Sequence, residues 1–283
     1  MSWIDGVALT LVAFAVVQAS YVVSQAIVGS WMGATVQNLS VGFGPVVVSR
    51  MICGCDFRIS ALPFGGYTKF YGNDDVEDVT TKNEIDGAPR DIVPFNDVPI
   101  LGRAAVFFVG PLSTVLIGLT CAAIPVWIGA DQVVVDAELP ALWAKNGVPN
   151  LTVARHSSTW NGQLELFDNT TFEFFLRTVT FRSLNGWSGL LGWTSTLGSA
   201  SKHSFAAWLS CFGVTMIGMG LANLLPIPVL NGGHLVFLAI EAANGRSPER
   251  LLITATYFGM LFSLVMMGRV ILADIVWIWN LIL

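Results

Sequence analysis

Four stretches of this chain are too long and too apolar to sit in water. Residues 3–29, 101–129, 205–230 and 251–283 carry only Asp5, Arg103, Arg269 and Asp274 as charges. About 20 apolar residues in a helix cross roughly 30 Å of hydrocarbon, so each run is long enough to span a bilayer. Lipid offers no partner to a backbone N–H or C=O, and a helix pairs those groups within itself. The expected fold class is an α-helical polytopic membrane protein with about four core transmembrane helices. Composition agrees: 12% of residues are charged and 54% hydrophobic, against roughly 25% charged in average chains. A net charge of −5 argues against a nucleic-acid partner. The first apolar run lacks a basic flank and is too long for a cleaved leader.

Between the runs the character changes. Residues 38–72 are punctuated by Gly42, Gly44, Pro45, Gly54, Pro63, Gly65 and Gly66 around β-branched pieces such as Val46-Val47-Val48. That pattern predicts a small hairpin or sheet with turns. Residues 73–98 form an acidic polar loop, with eight carboxylates against Lys82 and Arg90. Such a run solvates a surface or docks on a basic partner. Residues 130–204 are expected to be extramembrane and interfacial. Cys53 and Cys55 lack the second pair that a structural metal site needs, and read as small buried residues. Loops 30–103 and 243–250 together hold eight Lys/Arg, and loop 130–204 holds five. That bias places both termini and loop 130–204 on the outer side.

The third run ends in Asn223-Leu224-Leu225-Pro226-Ile227-Pro228-Val229-Leu230-Asn231-Gly232-Gly233-His234. Two prolines here break a helix ladder. Broken backbone at membrane depth survives only against protein or a polar cavity. Asn223, Pro226 and Pro228 are therefore candidates for lining a site.

This stretch resembles the N-x-x-P-x-P-x-L-D-G pattern of the site-2 proteases, the intramembrane zinc metalloproteases. Three further stretches are similar to that family in its order. Ser40-Val41-Gly42-Phe43-Gly44 resembles S-x-G-F-G. Pro63 to Lys69 resembles P-x-G-G-Y-x-K. Arg103 to Thr114 resembles R-A-x-x-x-x-G-P-x-x-N, with Gly110 and Pro111 in place and Thr114 at the Asn. The resemblance implies one membrane domain over 1–283, with residues 38–72 as a membrane-re-entrant β-loop beside the active site. Its edge would receive a polypeptide as an added strand, which makes Val46, Val47, Val48, Pro63, Gly65, Gly66 and Tyr67 candidate partner- or client-binding residues. The PDZ domain that bacterial members insert is too large for the residues from Ala130 to Thr171.

The family's H-E-x-x-H falls on Tyr21-Val22-Val23-Ser24-Gln25, and its metal-binding Asp on Asn231. The His pair binds zinc on one helical face and the Glu activates water. Tyr21, Val22, Gln25 and Asn231 supply neither, and a role for His234 as a ligand loses its neighbours. The expectation is no metal, no cofactor and no enzyme. The chain would be a non-catalytic pseudoprotease serving as a structural or assembly subunit of a larger membrane complex, with other membrane subunits and the bilayer as partners. Two alternatives stay open. One is a regulatory pseudoprotease that binds transmembrane helices or extended segments uncut. The other is an active intramembrane zinc metalloprotease with atypical ligands. The expected location is a bacterial or organellar inner membrane.

Overall fold

A computed structural model describes residues 2–52, 54–72, 92–129, 190–245 and 249–282. Helix α1 covers Trp3–Trp31. Ser2 and Asp5 begin it with reciprocal bonds, each backbone N–H donating to the other's side chain, a capping-box arrangement. Inside it, Thr10 and Ser20 donate to the carbonyls of Gly6 and Val16, so these hydroxyls need no water. Gly33 ends the helix at φ +94°, a conformation that costs glycine little.

Strands β1 (Val36–Ile52) and β2 (Cys55–Phe70) follow. Both fold over, so the small sheet is four strand segments wide. Residues 38–41 pair antiparallel with 66–69 on one side, from Asn38 opposite Lys69 to Val41 opposite Gly66. On their other side they meet Asp56–Ile59, with both numbers rising together, and that piece also pairs with Ser49–Met51. The spatial order is therefore 46–52, 55–60, 36–43, 62–70. A one-turn 3-10 helix, Phe95–Asp97, leads into α2 (Ile100–Trp127). Then come α3 (Leu190–His203), α4 (Phe205–Asn223), α5 (Asn231–Asn244) and α6 (Glu249–Ile282).

Among the described residues, four helices are long and apolar enough to cross a membrane: Ile4–Trp31, Ile100–Trp127, Phe205–Asn223 and Leu251–Val276. The chain is thus an integral, multi-pass membrane protein with a small sheet, the expected fold class. The long apolar faces left exposed on α6, such as Tyr257, Met260, Leu264 and Leu272, suit lipid contact.

The contacts divide the chain into two compact units. One comprises residues 13–114 and 220–259. Its core joins Ala34, Phe70, Phe95, Val98 and Val106, with Phe70 stacked on Phe95 and Phe107 edge-on to Phe95. The other comprises residues 1–12, 115–219 and 260–283. There the buried Trp208 indole donates to Thr10 at 2.9 Å. Gly118 and Gly213 let α2 and α4 approach, since a Cβ on either would press on the other's carbonyl at 2.7 Å.

One expectation changes. The run 205–230 is helical only to Asn223; residues 224–230 form a non-helical link, because Pro226 and Pro228 lack N–H donors. Asp274 stands two residues before the end of the Leu251–Val276 span. It is 7% exposed within continuous α6, and accepts from the backbone N–H groups of Leu191 and Gly192 at 3.1 and 3.2 Å. It thereby serves orphan donors at the start of α3. The interfacial reading of 172–189, the acidic loop from 73 to 91 and the missing PDZ at 130–189 lie outside the described residues.

Candidate functional site

Tyr21 and Gln25 stand at i and i+4 on α1, and so share a face. The Tyr21 ring lies on Gly110 of α2, where an added Cβ would come within 2.8 Å of it. The Tyr21 hydroxyl pairs with the side chain of Asn231. Asn231, the first residue of α5, donates from Nδ2 to the carbonyl of Phe107 at 2.6 Å. Gln25 donates from Nε2 to the carbonyl of Val106 at 3.4 Å. His234, one turn after Asn231, stacks on the Phe107 ring with centroids 4.6 Å apart and planes 7° from parallel. Val22 is fully buried. The structure therefore brings Tyr21, Val22, Gln25 and Asn231 into one place.

Close backbone packing sets the position of Asn231. A Cβ on Gly232 would collide with the Leu224 carbonyl, and one on Gly233 with the Ile227 carbonyl. The proline link can fold against the start of α5 only because both residues are glycine. Pro228 is half-buried and packs beside Gly259 of α6. Asn223 ends α4, half-buried, and Pro226 is exposed.

The sheet meets the same place through one edge. Thr68 donates to the Val22 carbonyl at 2.9 Å, and Gly66 lies where a Cβ would touch the Val22 side chain at 3.0 Å. Gly65 takes φ +83° just before it, and Tyr67 is 38% exposed. Pro63 is in the same strand, with its side chain outside the described residues. Val46, Val47 and Val48 are exposed on the opposite edge of the sheet. The single β-loop site expected from sequence is thus two separate edges. Near the hairpin turn, the Ser49 hydroxyl at 2.6 Å lowers the Asp56 carboxyl below its usual range, and Arg58 adds to this.

These residues do not fit a zinc ion. Zinc takes thiolate, imidazole or carboxylate; Tyr21, Val22, Gln25 and Asn231 offer a phenol, an isopropyl group and two amides. Both amide nitrogens face carbonyls of α2. Among the described residues, no three His, Cys, Asp or Glu side chains come together as a ligand set.

Sequence reasoning missed the ion pair beside the site. Arg103 of α2 reaches Glu241 of α5 with two nitrogens, at 3.2 and 2.5 Å, and donates from Nε to the Val98 carbonyl at 3.1 Å. Arg103 was legible as a charge in an apolar run, but its partner lies 138 residues away. Thr68 and Phe107 were missed because their roles depend on backbone carbonyls.

The sequence profile of Peptidase family M50 matches residues 24–267. A protein of Rhizobium meliloti with the provisional name zinc metalloprotease is 25% identical, over 90% of this chain and 92% of its own length. One of Agrobacterium fabrum, named in the same way, is 24% identical over 78% and 82%. The Regulator of sigma E protease of Haemophilus influenzae is 39% identical over 64 residues, 23% of this chain and 14% of that one.

These findings correct the expectation that the chain is not an enzyme. Relatives that match nearly from end to end carry protease names, and the inactive-subunit reading has no such support. The inference from Tyr21, Val22, Gln25 and Asn231 reached too far, because three ligand positions and one base position report on one site and not on what the whole chain does. The same comparisons agree with the inner-membrane location expected from the spans. From the matched residues and the four spanning helices together, this chain belongs to Peptidase family M50, the site-2 proteases.

Proposed function

We propose that this protein takes hold of extended segments of membrane polypeptides as a strand added along Gly66–Phe70, beside the Val22 turn of α1. One observation carries the reading: the Thr68 bond to the Val22 carbonyl fixes this strand against the helix where the family places its chemistry. Residues 66–69 pair with 38–41 on one side, and among the described residues no strand covers the other. An unpaired edge offers N–H and C=O groups to an incoming strand. Among the described residues, no strand covers the outer side of 46–52 either, but their exposed Val46, Val47, Val48, Met51 and Ile52 suit lipid contact.

The protease names of the relatives favour a second step, cleavage of the bound segment. No zinc-dependent step can be assigned to Tyr21, Val22, Gln25 and Asn231.

The test uses the full chain in vesicles with a single-span polypeptide and a version carrying proline at alternate positions of its extended flank. Proline has no N–H to donate. The proposal expects the proline version to bind at least about tenfold more weakly. Equal binding of the two would overturn strand addition. A new terminus within the bound segment would establish the second step, and an intact segment would refute it.

A further inference from the structure

We infer that the ligand set of the family's metal is replaced here by a neutral hydrogen-bonded clamp, in which Asn231 serves the one α2 carbonyl that Pro111 leaves without a partner. In an α-helix the carbonyl of residue i accepts from the N–H of residue i+4. Phe107 is four residues before Pro111, and proline has no N–H. The Phe107 carbonyl is therefore orphaned within α2, in a helix that crosses the membrane. An unpaired buried carbonyl is costly, most of all where water is scarce. Asn231 Nδ2 meets it at 2.6 Å.

A carboxylate at this position would accept hydrogen bonds and donate none at neutral pH. It would set negative charge against a carbonyl oxygen. The family pattern keeps this proline beside a carboxylate that a metal ion would balance; here the amide donates to the Phe107 carbonyl, which a carboxylate could not do. Gln25 adds a further bond one residue earlier, donating to the Val106 carbonyl, whose helix partner is the Gly110 N–H, and Tyr21 pairs with Asn231 while covering Gly110. Side chains of α1 and α5 are stitched to α2 by bonds that need no ion. Asn231 is a positioning residue, and its role is independent of whether a polypeptide binds at the sheet edge.

Two readouts test this on the full, tag-free chain in mild detergent. The first is metal content after growth with ample zinc. The clamp expects under about 0.1 zinc per chain, and stays there with Asn231→Asp; a content near one in either protein overturns it. The second is a double-mutant cycle in thermal midpoint. Pro111→Ala supplies the missing N–H to Phe107. Asn231→Ala should lower the midpoint in the native background and lose at least about half of that effect when Pro111→Ala is present. Equal drops in both backgrounds would refute the pairing. If Asn231→Ala fails to fold alone but folds with Pro111→Ala, the clamp is supported. Failure in both backgrounds would count against it. None of these readouts depends on polypeptide binding, so the clamp and the strand-addition reading can fail separately.

Discussion

Arg103 shows what one buried residue can do in this fold. Its guanidinium is held by two bonds to Glu241 and one to the Val98 carbonyl. Arg103→Met would leave the partly buried Glu241 without its partner, at a cost of up to about 3 kcal/mol, the low end for a buried pair. Arg103→Met with Glu241→Met should recover most of that loss in thermal denaturation; equal loss in single and double variants would mean the pair is not the cause. Gly110 tests contact with Tyr21. Gly110→Ala places a methyl within 2.8 Å of the ring, and overpacking of this kind costs about 1–3 kcal/mol. Tyr21→Ala in the same chain should relieve it, as read from the same melting curves. At this scale the sequence was informative about identities and silent about partners. Tyr21, Val22, Gln25 and Asn231 were found by position, and they do meet. That Asn231 acts as a donor followed only from seeing the Phe107 carbonyl beside it.

Helices were legible as elements because apolar runs of this length have few other ways to satisfy their backbone in lipid. Boundaries were less so: the prolines signalled a break, but the apolar residues of the link hid its extent, from the end of α4 at Asn223 to the start of α5 at Asn231. The sheet was legible as β structure from its glycines and β-branched pieces. Its crossing was not, since pairing of 38–41 with two different segments is set by long-range register. Asp274 looked like a charge at the end of a span, yet it holds the first N–H groups of α3. Asp274→Ala should therefore cost about 1–2 kcal/mol, in the range of a lost helix cap. Hydrogen exchange should quicken at the start of α3 and not along α5; a uniform change would contradict a local role.

For the whole molecule, the scaffold is that of the family. The match over residues 24–267 and the four spans establish a site-2 protease scaffold in a membrane. The three positions of the family's ligand set are occupied by Tyr21, Gln25 and Asn231, whose side chains bond between helices. The proposed place for a polypeptide is the edge of Gly66–Phe70 next to Val22. Charge in the exposed valine edge should act differently. Val47→Asp, at a side chain 66% exposed, should weaken seating in the bilayer by an amount that a vesicle flotation assay detects, at about 2–4 kcal/mol if it reaches the midplane. It should leave polypeptide binding by the inserted fraction unchanged. A loss of binding with seating intact would move the polypeptide site to that edge.

The most direct measurement is site-specific photo-crosslinking in vesicles, with the probe at Tyr67 or Lys69 in one set and at Val47 in another, against a labelled single-span polypeptide. The account predicts adducts from Tyr67 and Lys69 that map to the extended flank of the polypeptide, and lipid adducts alone from Val47. Polypeptide adducts from Val47 with none from Tyr67 or Lys69 would contradict it.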